Sequence, residues 1–502
     1  MAGKSLRLTR IAVSVAAFAL VTALFVSVAM TIPRTAAFIA RIQLLPAAMA
    51  FGMAVFVGWL IVTLLLGRVY CSTVCPLGFF QDICSRLVRT GARMRRRNAY
   101  HFHAPATRTR YIFLILTTVC LLCGISVVPV LLDPYSAYGR MALNLVRPVW
   151  LAISGLCRSE PVVAAGGTLA GAAVASLTAL AVAWAAVRNG RTVCNTVCPV
   201  GTTLGLVSRF SVFHIDINTD RCIQCRKCEH ACKARCIDLG SHIVDTSRCV
   251  VCFDCLPVCP NDAIHYTPSS HRLSMPMLQR TTTVTKRPET AAPSASSLEP
   301  PRRLDRRKFL ATGVVVAAAP LLLRADKAAR AVGRASGKRP PEPAFAVYPP
   351  GAPDRTYFLE RCTGCGLCVS HCPTRVIRPA TTEYGSLNGF LHPVMRYDTS
   401  FCDFSCTRCN NLCPTGALTP LSLREKQLTA IGLAMTIPAN CIHCGKCAAA
   451  CPRHAIVMTP AEGGGVKIPV VDSALCIGCG ACQSVCPAYP FKAIYVDGFA
   501  DR

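Results

Sequence analysis

The chain has 502 residues, too many for one ordinary domain, and 33 cysteines, several times what a globular protein of this size carries. Its 54 Lys and Arg against 25 Asp and Glu give a formal charge of +29, yet no nucleic-acid-binding motif accompanies that charge. A disulfide framework is disfavoured, because such frameworks belong to small secreted domains and these cysteines recur at C-x-x-C intervals, often before proline.

Four apolar stretches, at 11–32, 43–67, 111–132 and 166–187, reach the length of about 20 residues that crosses a bilayer. Lys4, Arg7 and Arg10 precede the first. Arg68, Arg86, Arg89, Arg93, Arg95, Arg96, Arg97, Arg108 and Arg110 follow the second, against Arg34, Arg41, Arg140, Arg147 and Arg158 in the other loops. By the positive-inside rule both ends of this four-span bundle are cytoplasmic. The bundle, 1–205, contains an internal repeat. Each half ends in C-x-T-V-C-P-x-G, once with Cys71 and Cys75 and once with Cys194 and Cys198. These four sulfurs converge by symmetry as a further cluster or a redox-active thiol pair, or else end helices and merely pack.

A two-cluster ferredoxin-like domain is expected at 206–267, a Pro-, Ser- and Thr-rich disordered linker at 268–304, and a twin-arginine signal or anchor segment at 305–331, where Arg306-Arg307-Lys308-Phe309-Leu310 precedes an apolar run. The competing reading of that segment is a basic linker beside a short apolar helix. A second Pro-rich linker, 332–354, leads to a four-cluster domain, 355–502. The fold class is therefore an α-helical membrane bundle of four spans with α+β two-cluster ferredoxin-like domains.

A cuboidal iron–sulfur core needs four thiolates, and C-x-x-C-x-x-C wraps three of them onto one face. In two-cluster ferredoxins the fourth ligand of each site comes from the other loop. That rule assigns Cys222, Cys225, Cys228 and Cys259 to one site and Cys249, Cys252, Cys255 and Cys232 to its neighbour, with Lys233 standing where proline is usual. The terminal domain has four more runs: Cys362, Cys365, Cys368, Cys372; Cys402, Cys406, Cys409, Cys413; Cys441, Cys444, Cys447, Cys451; and Cys476, Cys479, Cys482, Cys486. The second has one extra residue between its first cysteines, and pairing among the four is either sequential or nested. Zinc is the weaker reading, since structural zinc sites are commonly two knuckles of two cysteines. Six 4Fe-4S sites at about −2 each would lower the formal charge to about +17.

Cys84, Cys120, Cys123, Cys157 and Cys236 read as buried structural thiols. Asp133, with Tyr135 and Arg140 nearby, is either a quinol site in which the carboxyl takes a proton or a helix stop. His101 and His103 either serve proton traffic or, as the simpler reading, belong to a solvated basic loop, and Gly167 with Gly171 marks close helix packing. Motifs for c-type haem, Walker phosphate binding and nucleotide binding are absent.

With its spans, repeated C-x-x-x-C-P motifs and adjoining quartets, the region 1–265 resembles the NapH, MauN and NosR membrane proteins. From about 303 onward, Arg306-Arg307-Lys308-Phe309-Leu310, Phe358-Leu359-Glu360-Arg361-Cys362 and Cys413-Pro414-Thr415-Gly416-Ala417-Leu418 look like the exported NapG and MauM polyferredoxins. The resemblance implies the electron-transfer component of a quinol dehydrogenase in a bacterial inner membrane, multi-pass, with its C-terminal domain in the periplasm. It implies quinol as donor and an extracytoplasmic redox enzyme or small carrier as acceptor. A maturation factor for another periplasmic metalloenzyme is the alternative. A difficulty follows: about 30 Å of hydrocarbon separates the two cluster groups.

Overall fold

A computed structural model describes residues 2–26, 34–50, 52–87, 100–158, 168–268, 338–385, 388–460 and 465–500. The twin-arginine segment and nearly all of the 268–304 linker lie outside the described residues, as does Gly167; the side chain of Cys157 is also outside them.

Helix α1 (Ala2–Val26) is the long axis of the bundle. At 1.5 Å per residue it extends about 37 Å. Of the four expected spans, two correspond to helices long and apolar enough to cross a membrane, Gly3–Val26 and Leu169–Asn189. The other two are interrupted. In the second stretch Leu44–Met49 stops at Ala50 before α2 (Met53–Leu66) begins. In the third, Gly124 at φ +69° breaks the chain after Thr107–Leu122, and a separate turn of helix, Val127–Leu132, follows.

The internal repeat is a structural one. Helix α2 ends at Gly67 (φ +75°), and its counterpart Leu169–Asn189 ends at Gly190 (φ +66°), a left-handed turn that glycine takes without steric cost. A short helix then carries the first cysteine of each motif: α3 (Val69–Thr73) holds Cys71 and α4 (Thr192–Thr196) holds Cys194. The second cysteine precedes proline, which disfavours helical backbone before it. Cys198 is accordingly extended, and Pro76 and Pro199 each open the next helix, Pro76–Leu87 and Pro199–Ser208.

The ferredoxin-like units are small and strand-poor. Phe213–Ile217 pairs antiparallel with Ile264–Pro268, closing the first unit with its first and last strands. Leu433–Thr436 and Ile494–Asp497 close the last unit in the same way. Buried cysteines fill much of the cores that these short strands frame.

The two groups of ferredoxin-like units meet opposite ends of α1. Near its N-terminus Gly3 abuts Leu256, and Arg7 pairs with Asp254 at 2.9 Å. Near its C-terminus Val21, Leu24 and Phe25 share one apolar cluster with Tyr135, Cys365 and Leu367. Ser126 and Asn388 add hydrogen bonds at that end, 2.8 Å from the Ser126 backbone N–H and 2.9 Å to its hydroxyl.

Candidate iron–sulfur centres

Each C-x-x-C-x-x-C run is a loop that ends in a helix of one turn or slightly more, such as Lys227–Ala231, Leu367–His371 and Ala481–Val485. In four of the runs the residue entering that helix is left-handed: Arg226 at φ 58°, Gly366 at 80°, Gly445 at 67° and Gly480 at 76°. This bend is what turns three sulfurs toward one centre.

Fourth ligands can be read from the neighbours. One hollow is lined by Cys222, Cys225, Cys228 and Cys259, and Cys255 lies beside Cys232, Cys249 and Cys252. In the terminal domain, Cys372 joins Cys402, Cys406 and Cys409 around a second hollow, while Cys413 lies with Cys362, Cys365 and Cys368. Cys451 joins Cys476, Cys479 and Cys482 around a third. Cys441 and Cys444 flank Cys447, and Cys486 packs in the same apolar cluster as Cys447. Pairing is thus sequential, with ligands exchanged between adjacent runs. Among the described residues no three Cys, His, Asp or Glu side chains converge tightly enough to hold a single metal ion.

The sites form a sequence through the terminal domain. Cys365 faces the helical bundle. The Cys402 site then meets the Cys476 site: the Cys402 N–H donates to the Cys479 carbonyl at 2.8 Å, and Tyr397 between them donates to the Gly478 carbonyl at 2.8 Å. The Cys441 site lies at the far end. Among the proposed quartet ligands, Cys225 and Cys444 are the exposed ones, and they mark the two extremities of the series.

The first unit is locked to the bundle by buried charges. Asp82, 2% exposed, accepts from Arg191 Nε at 2.9 Å and Lys233 Nζ at 2.9 Å and pairs with Arg10 at 3.3 Å; Lys233 also reaches Asp254 at 2.8 Å. Burial alone would push the Asp82 carboxyl up, but Arg191 and Lys233 hold it far below the ordinary carboxylate range. The Lys that departs from Cys-Pro is therefore the docking residue, and its carbonyl accepts the Arg191 N–H at 2.8 Å. Cations outnumber carboxylates here, which suits nearby anionic clusters.

Family models described as 4Fe-4S dicluster domains match residues 361–417, 440–489 and 401–456. Models described as 4Fe-4S binding domains match 48–95 and 171–218, one on each copy of the C-x-x-x-C-P motif, and 219–235. The chain carries ferredoxin-type 4Fe-4S domains. It is 32% identical over 148 residues to the methylamine utilization ferredoxin-type protein MauM of Methylophilus methylotrophus, covering 27% of this chain and 64% of that protein. It is 27% identical over 223 residues to the putative electron transport protein YccM of Escherichia coli, covering 43% and 55%, and 30% identical over 131 residues to ferredoxin-type protein NapG of the same species, covering 24% and 51%. The chain thus spans about half to two thirds of the length of these relatives. No solved structure matches it. These findings make it an iron–sulfur electron-transport protein of the ferredoxin type.

Other expected residues fall differently. Cys123 is exposed and Cys84 only half-buried, because Cys123 sits past the end of its helix and Cys84 on an amphipathic one. Cys120 and Cys236 are buried, but Cys236 is 3.5 Å from Cys232, against a quartet and not in a plain core. His101 and His103 belong to a strap over the first ferredoxin-like unit: the Phe102 N–H donates to Glu229 at 2.8 Å, and the His101 and His103 carbonyls accept from Arg235 and Arg248. Asp133 does cap a helix, Pro134–Met141, accepting from the Ser136 N–H at 2.8 Å. It is also 1% exposed, and its second oxygen, the Tyr135 hydroxyl and the whole Arg140 guanidinium find no partner among the described residues. The sequence marks these two buried acids: Asp82 and Asp133 are the first two carboxylates of the chain.

Proposed function

We propose that this protein spans a bacterial inner membrane several times and passes electrons from the quinol pool, through 4Fe-4S clusters, to an extracytoplasmic reductase or small carrier. The observation that carries the reading is the placement of two iron–sulfur groups against opposite ends of one apolar helix about as long as a bilayer is thick. In this reading the first ferredoxin-like unit is cytoplasmic and the four-site domain periplasmic. Clusters supply one-electron steps; the chain's own residues set their order and shield them. Twenty-four cysteines in the six quartets would hold the six clusters.

The Asp133, Tyr135 and Arg140 group is the quinol-oxidising candidate. It combines a buried carboxyl to take a proton with unpartnered donors for a quinone oxygen, and Tyr135 lies within electrostatic reach of Cys365 and Cys413. Exit falls at the Cys441 site, where Cys444 is exposed. The exposure of Cys225 favours a second reading, in which a soluble cytoplasmic donor also feeds the series at its other end.

The test is anaerobic. A water-soluble quinol analogue is added to membranes containing the full chain while the cluster absorbance is followed. Bleaching that Asp133→Asn slows at least tenfold is expected. Clusters that dithionite reduces and quinol does not would refute quinol as donor, and would favour the maturation-factor alternative if no soluble donor reduces them either.

A further inference from the structure

Arg68, Arg110 and Arg191 are buried in the bundle and hydrogen-bonded. Arg68 and Arg191 cross between its two halves, Arg68 donating to the Cys194 carbonyl and Arg191 to the Cys71 carbonyl, and Arg110 donates to Ser247 at 3.1 and 3.0 Å. Arg140 is different. It is 3% exposed, and all three nitrogens of its guanidinium lack a hydrogen-bond partner among the described residues. Asp133, the carboxylate within its electrostatic reach, bonds Ser136 through one oxygen and leaves the other unpartnered, so the two groups do not meet. A buried cation without a bonded counter-charge is costly. It points to an anion beside Arg140.

The helix that carries Arg140, Pro134–Met141, sits directly on the loop that holds Cys362, Cys365 and Cys368. A Cβ on Gly139 would lie 2.6 Å from the Cys365 carbonyl oxygen, so glycine is what lets the helix backbone come this close. Tyr135, also fully buried, shares an apolar cluster with Cys365 and Leu367 and lies within electrostatic reach of both Cys365 and Cys413. Arg140 lies within the same reach of Cys365. On the bundle side the motif thiols Cys71, Cys75, Cys194 and Cys198 are buried, unbridged and near one another, and Tyr70 is within reach of Cys71, Cys75 and Asp133. The Cys365 site is therefore the terminal-domain site that meets the bundle, and Arg140 stands at the junction.

We propose that Arg140 is the counter-cation of the cluster on Cys362, Cys365, Cys368 and Cys413, and that its charge raises the midpoint of that cluster so that it draws the electron out of the bundle. Reduction adds one electron and takes the core with its four thiolates from about −2 to about −3. No bond forms or breaks, and no proton is required. A fixed cation in surroundings of low dielectric favours the more negative state, and net charge is among the levers that set cluster potentials. The helical bundle thereby tunes a cluster that belongs to a different domain. Arg140 is a positioning residue, since it acts on the cluster and not on a substrate. Its guanidinium has five donors, enough to serve a quinone oxygen as well, and its effect on the cluster does not depend on quinol being the donor.

The experiment is an equilibrium redox titration of the full chain, purified anaerobically in detergent and poised with soluble mediators in the absence of quinol, with each cluster followed by EPR. The component that Cys365→Ser removes identifies the cluster in question. Arg140→Met deletes the charge together with the cost of burying it and should retain all iron. In that variant the reduction equilibrium of this one component should become at least tenfold less favourable, a fall of about 59 mV for one electron, while the other components stay in place. Arg140→Lys, which keeps the charge, should restore at least half of the shift; a merely structural arginine would show no such rescue. If Arg140→Met loses iron, Arg140→Gln carries the same expectation and the same refutation. An unchanged or raised midpoint of the Cys365 component, or equal movement of every component, would overturn the proposal.

Discussion

Replacing Asp82 by asparagine keeps the side chain's size and removes the one charge on which Arg10, Arg191 and Lys233 converge, at 3.3, 2.8 and 2.9 Å. Two unit charges 4 Å apart attract by about 4 kcal/mol at an effective dielectric of 20, and burial has already cost much of that gain. Removing one partner from a buried ion pair nonetheless costs about 3–5 kcal/mol, because the stranded cations stay out of water. Asp82→Asn should therefore weaken docking of residues 213–268 on the bundle by about 10²- to 10⁴-fold. Hydrogen exchange measured by mass spectrometry on the full chain in detergent reads this directly. Amides of Phe213–Ile217 and Ile264–Pro268 should lose protection while those of the terminal domain keep theirs. Protection within about 0.5 kcal/mol of wild type, the range of an ordinary surface substitution, would refute the buried network as the dock. The pH dependence has a definite sign. The folded carboxyl is depressed, so its contribution is present at neutral pH and is lost as pH falls below about 4, the unfolded value, toward the lower folded one.

Three further outcomes follow from the ligand geometry. Cys372→Ser should abolish the EPR component of the Cys402, Cys406 and Cys409 site and leave that of Cys362, Cys365 and Cys368, the reverse of what the linear order of the run suggests. Gly201→Ala should destabilise the bundle by about 1–3 kcal/mol through overpacking, whereas Gly58→Ala, where a Cβ meets nothing within 4 Å, should be neutral by thermal unfolding. Cys236→Ala should keep full iron but shift the midpoint of the Cys249 site in a redox titration, since Cys236 lies 3.5 Å from Cys232 without taking its place.

The quartets are legible because cluster geometry is written in local spacing, and the exchange of Cys232 and Cys259 follows from that spacing together with the ligand rule of two-cluster ferredoxins. Sequential pairing in the terminal domain is not, because it depends on which loops fold together across tens of residues. The even division into four spans overestimates continuity: apolar composition carries on through Ala50, Gly52 and Gly124, while the helices do not. In sequence Lys233 is only a small departure from Cys-Pro, because its partner Asp82 belongs to a distant segment. The two motif cysteine pairs announced a repeat, and symmetry suggested convergence; the crossed arginines that explain the spacing R-x-x-C-x-x-x-C-P needed the structure. Asp133 reads from sequence as a cap or a proton site, and the geometry allows both, with one oxygen on Ser136 and the other unpartnered among the described residues.

The central claim is that electrons travel from the bundle to the exposed Cys444 end. Proteoliposomes with the four-site domain facing outward, a quinol analogue in the bilayer and ferricyanide outside measure that passage. Quinol-dependent ferricyanide reduction that falls at least tenfold in Cys444→Ser, with the other clusters retained by EPR, is the predicted result. Ferricyanide reduction independent of quinol, or unchanged in that variant, would contradict the account.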